Sequence, residues 1–264
     1  MAEINAIPQE EELTVILPAY NEEEALAPLV ENWQQYRQEI ASSYALKLMI
    51  LIVNDGSRDQ THQIGKILES ENPNITLVDH PHNKGLGEAV KTGINYILDN
   101  RPQSSFACLM DSDNTHDPKF VLDMLKKQKQ TKADIVIASR YQTGAKVRGV
   151  SGFRLLTSQG AKVVFSMILH VPDVQDYTCG YRLYKREILQ KAKTRFEENL
   201  INESGFTCMV ELLYKLYCCG AKFAEVPFYL RYDLKAGSSK MKVIKTSIDS
   251  FSLACKLKKI ALEP

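Results

Sequence analysis

The feature that most constrains the fold is an alternation, over the first 140 residues, between short apolar runs and segments with helical periodicity. Leu46–Val53 is almost wholly apolar, as suits a parallel strand covered on both faces. Leu13–Leu17, Ile75–Val78, Phe106–Met110 and Ile135–Ala138 are shorter β-rich runs, the first of them expected to stop at Pro18. Between them Leu26, Leu29, Val30 and Trp33 recur at helical spacing, and Thr61–Leu68, Gly87–Leu98 and Pro118–Lys127 read as helices. Asn21 is placed to cap the first helix, with acids in its opening turn. Strand–helix–strand repetition predicts an α/β fold: a doubly wound, mostly parallel sheet flanked by helices, with right-handed crossovers. Ligands of such sheets bind at the carboxyl ends of the strands.

Beyond residue 140 the rhythm changes. Tyr141–Gly152 carries glycines, Lys146 and Arg148 with little apolar periodicity, and is expected to be a loop over the site. Thr157–Leu169 and Phe206–Cys218 read as helices, the second closed by Gly220. Asp176–Tyr184 is expected to lead into a short strand, and Lys222–Val226 and Phe228–Tyr232 are strand-like. Met241–Leu262 has apolar residues at helical spacing and ends in Lys256, Lys258 and Lys259. That stretch suits an anionic membrane surface, core packing or a dimer contact in a homo-oligomer. No repeat or linker divides the chain. It is read as one domain over residues 1–264, with a nucleotide-binding half (1–140) and an acceptor-side half (141–264) that ends in a helical elaboration.

Charge narrows the function classes. Lys and Arg total 33 against 32 Asp and Glu, a net charge of +1. A dedicated nucleic-acid binder would be strongly basic. No apolar run approaches the roughly 18 to 20 residues of a membrane span. Met1–Glu12 lacks the apolar stretch of a secretory signal, so a cytoplasmic chain is expected. The six cysteines form no Cys-x-x-Cys pattern and are read as reduced core residues.

Three polar clusters follow the first, second and fourth strands. Asp111-Ser112-Asp113 puts two carboxylates two residues apart, on one side of extended backbone. Hard oxygen ligands of this kind suit Mg²⁺ or Mn²⁺, whose shell substrate phosphates often complete. A solvated acidic turn is the alternative. Pro18-Ala19-Tyr20-Asn21-Glu22 offers an aromatic ring for a base. Asn54-Asp55-Gly56-Ser57 offers a carboxylate for a base or ribose. Each alone also fits an ordinary turn with a helix cap; together they favour a nucleotide pocket. Asn83-Lys84-Gly85-Leu86-Gly87 lacks the P-loop pattern, and no Gly-x-Gly-x-x-Gly follows the first strand, which disfavours P-loop ATPases and nicotinamide enzymes. His80, His82 and His116 are expected to be neutral surface side chains, and Lys126 and Lys127 a solvated helix face.

Taken together, residues 15–26, 51–61, 82–94, 110–118, 138–141, 176–189 and 225–242 make the chain resemble glycosyltransferase family 2, of GT-A fold. Within it the likeness is to polyprenyl-phosphate sugar transferases such as dolichol-phosphate mannosyltransferase. Seven stretches occur in family order across nearly the whole chain. The resemblance implies that Pro18, Tyr20, Glu22, Val53 and Asp55 hold the nucleotide, with Gly85, Leu86 and Ser112 beside it. It implies Asp111 and Asp113 as the metal pair. Thr115 stands where the family commonly has Gln, a shorter and weaker ligand. Arg140, Arg154 and Lys240 match cationic positions near the diphosphate and an acceptor phosphate. Asp176 opens the segment resembling the family's Asp-x-Thr-Ser-Gly, which here reads Thr178-Cys179-Gly180.

The reaction so implied is metal-dependent, inverting transfer of a sugar from a GDP- or UDP-sugar to a polyprenyl phosphate at a membrane surface. A hydroxyl acceptor on a glycan, glycolipid or protein would require a carboxylate base, for which Asp176 and Asp113 are the candidates. A silent nucleotide-sugar binding module is the remaining alternative.

Overall fold

The apolar runs of the first half become neighbouring parallel strands. The computed structural model describes residues 10–150, 152–234 and 252–259. β1 (Glu11–Ala19) leads through α1 (Leu26–Gln35) and α2 (Arg37–Tyr44) to β2 (Leu46–Asn54). Then come α3 (Thr61–Glu71), β3 (Ile75–Asp79), α4 (Leu86–Asn100), β4 (Ser104–Leu109), α5 (Phe120–Thr131) and β5 (Ile135–Ser139). β1 pairs in parallel with β2 and β4, and β2 with β3. The mixed, mostly parallel sheet flanked by helices is the α/β class expected from the pattern. β2 is buried from Leu48 to Asn54, as its unbroken apolar run requires. α4 packs on β1, β2 and β4, while α5 packs on β5 and residues 223–227.

The second half departs from simple alternation. After β6 (Lys146–Arg148) and α6 (Gly152–Leu169), β7 (Arg182–Lys185) inserts antiparallel between β4 and β5. α7 (Arg186–Phe196), α8 (Cys208–Cys218), β8 (Phe223–Pro227) and β9 (Tyr229–Arg231) follow. The seven-stranded order is β3-β2-β1-β4-β7-β5-β8, and β6 with β9 forms a separate parallel pair. Four residues with charged ends do not announce a central strand. Arg182 is nevertheless fully buried, donating to the Met209 and Tyr177 carbonyl oxygens at 2.8 and 2.7 Å.

Three local expectations are corrected. β1 runs through Pro18 to Ala19 instead of stopping. Ile16 accepts a hydrogen bond from Met110 N, so the alternate residue Pro18 faces the same neighbour, and that pairing has already ended at Leu109. The missing N–H therefore costs no ladder bond. Asn21 does not cap a helix: α1 begins at Leu26, and Asn21 sits at φ 53° in the left-handed region that Asn tolerates. α6 begins at Gly152, five residues before the expected Thr157.

Residues 252–259 are helical, burying Leu253, Ala254 and Leu257 and exposing Lys256, Lys258 and Lys259. The rest of the expected C-terminal helix lies outside the described residues. No helix among the described residues is long and apolar enough to cross a membrane. The cysteines among them are free thiols.

Candidate active site

The three polar clusters meet at the carboxyl edge of β1, β2 and β4. Hydrogen bonds between the turns, not helix caps, hold them together. Asn21 N donates to Ser57 Oγ at 3.0 Å, Arg58 N to Asn21 Oδ1 at 2.8 Å, and Glu22 N to Thr61 Oγ1 at 2.8 Å. Ser112 Oγ donates to Pro18 O at 2.8 Å, which ties the acidic turn to the end of β1.

Asp55 has a role that its sequence position did not reveal. Its carboxylate is buried and faces residues 80–85. Asn83 Nδ2 and the Lys84 and Gly85 amides each donate to it at 2.9 Å. His80 Nδ1 lies 2.7 Å away, and Nε2 of that ring is 2.9 Å from Thr92 Oγ1. These contacts organise the loop that precedes α4. Gly85, at φ 95°, adopts a conformation open to glycine. Gly87 is pressed against residue 203: a Cβ there would lie 1.8 Å from the Glu203 carbonyl oxygen. Gly87→Ala is therefore expected to displace the loop. Protection of its amides from hydrogen exchange should fall while that of β2 is kept.

His80 and His116 are buried, contrary to the expected surface placement, and His82 is exposed as expected. His116 lies against Phe228 and Tyr181, with centroids 5.3 and 5.6 Å away. Its Nδ1 is buried with no hydrogen-bond partner among the described residues and sits 4.0 Å from Asp111 Oδ2.

Asp111 and Asp113 follow β4 directly. The Asp111 side chain is 34% exposed, so its oxygens can reach a ligand from solvent. Gly180 backs it closely, since a Cβ there would be 3.0 Å from Asp111 Oδ1. Asp113 Oδ1 accepts from Thr115 Oγ1 at 2.6 Å and from Thr115 N at 3.2 Å. Thr115, expected as a third ligand, thus lies against Asp113 and donates to it. No group of three His, Cys, Asp or Glu able to hold a metal occurs among the described residues. Two carboxylates with an orphaned imidazole nitrogen beside them still fit a hard divalent cation whose shell is completed by phosphate oxygens.

Arg140 and Asp176 form a bidentate pair. Nε and Nη2 of Arg140 donate to Oδ2 and Oδ1 at 2.8 and 2.6 Å, and its backbone N–H donates to Oδ2 at 3.0 Å. Arg140 Nη2 also donates to Thr178 Oγ1. Asp176 is wholly buried and accepts from Cys179 N as well. Burial alone would raise its carboxyl pKa, but Arg140 and these hydrogen bonds outweigh it and hold the group below the usual carboxylate range. Burial pushes the neighbouring Cys179 thiol up to about 12, so it stays protonated. Glu225, also buried, accepts from Gln175 N and Asp176 N and anchors this segment from β8.

Sequence reasoning missed Glu225, Arg182 and Glu211. The last had a signal: Glu211 and Lys215 are four residues apart in an otherwise apolar helix, the spacing of a facing ion pair. Lys240 lies outside the described residues, as does the side chain of Arg154.

Two aspartates two residues apart thus stand after β4, beside the turns that follow β1 and β2. The profile of glycosyl transferase family 2 matches residues 14–192. The chain belongs to glycosyltransferase family 2. It is 32% identical over 228 residues to the polyprenol monophosphomannose synthase of Mycolicibacterium smegmatis, covering 86% of this chain and 80% of that protein. It is 29% identical to the dolichol-phosphate mannosyltransferase of Pyrococcus furiosus, spanning 87% of this chain and 59% of that protein. Among solved structures, a mannosyltransferase from Pyrobaculum calidifontis in complex with GDP-Man and Mn²⁺ has a TM-score of 0.54 at 15% identity, covering 97% of this chain and 75% of that one. The GT-A fold and the membership implied by the motifs are borne out, and the chain is a glycosyltransferase.

Proposed function

We propose that this glycosyltransferase moves a hexosyl group from a nucleotide-diphosphate sugar to a polyprenyl phosphate. The observation that carries the choice of acceptor is the state of Asp176. A hydroxyl acceptor needs a carboxylate with a pKa near the working pH and room to take a proton. Asp176 is buried, ionised and held by Arg140. A phosphate monoester, with a second pKa of about 6, arrives already ionised and needs no base. The two relatives named for polyprenol and dolichol phosphate support the same acceptor class.

In this reading an acceptor phosphate oxygen forms a bond to the anomeric carbon. The bond from that carbon to the diphosphate breaks, and the nucleoside diphosphate leaves with the electron pair. Attack opposite the leaving group gives inversion. Asp111 and Asp113 would hold Mg²⁺ or Mn²⁺, which would neutralise the charge that develops on the leaving diphosphate. The Mn²⁺ and GDP-Man named for the Pyrobaculum structure support such a cation and donor class. Tyr20 and Glu22 would line the nucleotide side together with Pro18, Ser112 and the 85–86 loop, while the Val53 side chain is buried in the sheet core. Asp55 acts by shaping that loop. Arg154 and Lys240 are assigned to the phosphates. Arg140 contributes its charge beside them while keeping Asp176 ionised. The lipid acceptor places the enzyme at the membrane face, and the exposed Lys256, Lys258 and Lys259 suit anionic headgroups.

The test is incubation with radiolabelled UDP- and GDP-sugars, Mn²⁺ or Mg²⁺ and a polyprenyl phosphate. Label is expected in the chloroform-extractable fraction with one donor. Absence of extractable label with every donor, in protein that binds nucleotide, would sink the lipid-phosphate acceptor.

A further inference from the structure

We propose that Glu211 of α8 is a positioning residue for donor binding, holding residues 202–204 as a rigid back wall against the loop 84–87. The proposal rests on reading that loop as part of the nucleotide site. Glu211 is 3% exposed, and Lys215, one turn on, is 1% exposed. The Glu211 carboxylate accepts from Asn202 N at 2.9 Å, Glu203 N at 2.8 Å, Asn202 Nδ2 at 3.2 Å and Lys215 Nζ at 2.6 Å. Lys215 also donates to the Asn199 carbonyl oxygen, so the pair grips the connection both before and at the turn. Thr207 Oγ1 donates to Glu203 Oε2 at 2.8 Å and fixes the far side of the turn.

The gripped turn is the surface against which the nucleotide loop is built. Gly87 N donates to Ser204 O at 3.1 Å. A Cβ on Gly85 would lie 2.5 Å from Ser204 O, and one on Gly87 would lie 1.8 Å from Glu203 O. The closest approaches here are to backbone carbonyl oxygens, so a shift of the 202–204 turn is passed directly to the loop. The loop is thus clamped from two sides by buried carboxylates. Asp55 holds the Lys84 and Gly85 amides from the sheet. Glu211 holds the wall behind Gly85 and Gly87 from a helix remote in sequence. A preformed loop loses less conformational freedom when ligand binds, which is how a residue without ligand contact affects affinity.

The test compares the wild type with Glu211→Gln and with Glu211→Gln/Lys215→Met. The glutamine amide turns N–H groups toward backbone donors, and the double variant leaves no buried unpaired cation behind. Hydrogen exchange of the free proteins should show amides 84–88 exchanging about tenfold faster in the double variant, with β1 and β2 within about twofold. Calorimetry with UDP and with GDP should show affinity about tenfold weaker for whichever binds the wild type, with kcat at saturating donor within about threefold. Equal acceleration across 84–88, β1 and β2 would mean that Glu211 only stabilises the fold, and would overturn the proposal. Unchanged nucleotide affinity would overturn it too. If the wild type binds neither nucleotide, the functional reading itself fails, and the exchange pattern still decides whether Glu211 positions the loop.

Discussion

Asparagine at Asp111 or at Asp113 is expected to lower kcat/KM for sugar transfer by about 10³-fold, the scale seen when one preorganised electrostatic partner of a transition state is removed. The loss should lie mainly in kcat, because charge on the diphosphate grows as the glycosidic bond breaks. Folding should be little affected by Asp111→Asn, since that carboxylate is partly open to solvent and at the end of its strand. Asp113→Asn also removes the acceptor of the Thr115 hydroxyl, so its turn should loosen slightly more. The measurement is steady-state transfer at varied Mn²⁺ and donor, with thermal melts of both variants. Wild-type turnover in both variants would remove the aspartate pair from the mechanism.

Asp176→Asn is expected to do the opposite: a large loss of stability that accounts for any loss of turnover. The substitution leaves Arg140 facing an uncharged partner in a mostly buried site, at a cost of about 3 kcal/mol. For a chain of this size that is a fall in melting temperature of about 6 to 12 °C. The pH dependence has a fixed sign. Because the folded-state pKa lies below the ordinary value of 3.8, the pair's stabilisation is complete above that value and disappears as pH falls through the lower, folded-state pKa. The wild type should therefore lose an acid-sensitive part of its stability below about pH 4 that the variant never had. Melts from pH 3 to 7 read both effects. A variant that melts like the wild type yet transfers no sugar would restore Asp176 as a proton acceptor and favour a hydroxyl substrate.

Much of the fold, and the place of the candidate site on it, is legible in local signals. The unbroken apolar run of β2, the alternation around it and the polar residues after β1, β2 and β4 are local signals. Burial on both faces selects the first, and strand ends select the last. What each polar side chain does was not legible in the same way. Asp55 reads as a nucleotide contact from its place after β2, but its carboxylate is met by Asn83, Lys84 and Gly85, about thirty residues on. Asp176 reads either as a base for a hydroxyl acceptor or as a loop-capping carboxylate, and the sequence does not show that Arg140, 36 residues earlier, pairs with it. His116 looks like a surface residue in a polar turn, and packing against Phe228 and Tyr181 buries it. β7 carries charged ends typical of an edge, yet it lies between β4 and β5 because Arg182 finds carbonyl oxygens in the interior.

By itself, then, the sequence determined the α/β class, the sheet edge that carries the candidate site, the aspartate pair proposed there and the likeness to the family. The class and the edge follow from periodicity and turn signals, the aspartate pair from a local motif, and the family from the resemblance of seven ordered stretches to known sequences. Only the tertiary structure decided which carboxylates are buried beside partners, as Asp55, Asp176 and Glu211 are, and which stay open to solvent, as Asp111 does. A buried charge is stable only beside its partner. Chain closure brings that partner from far along the sequence, and no local pattern records which residue it will be.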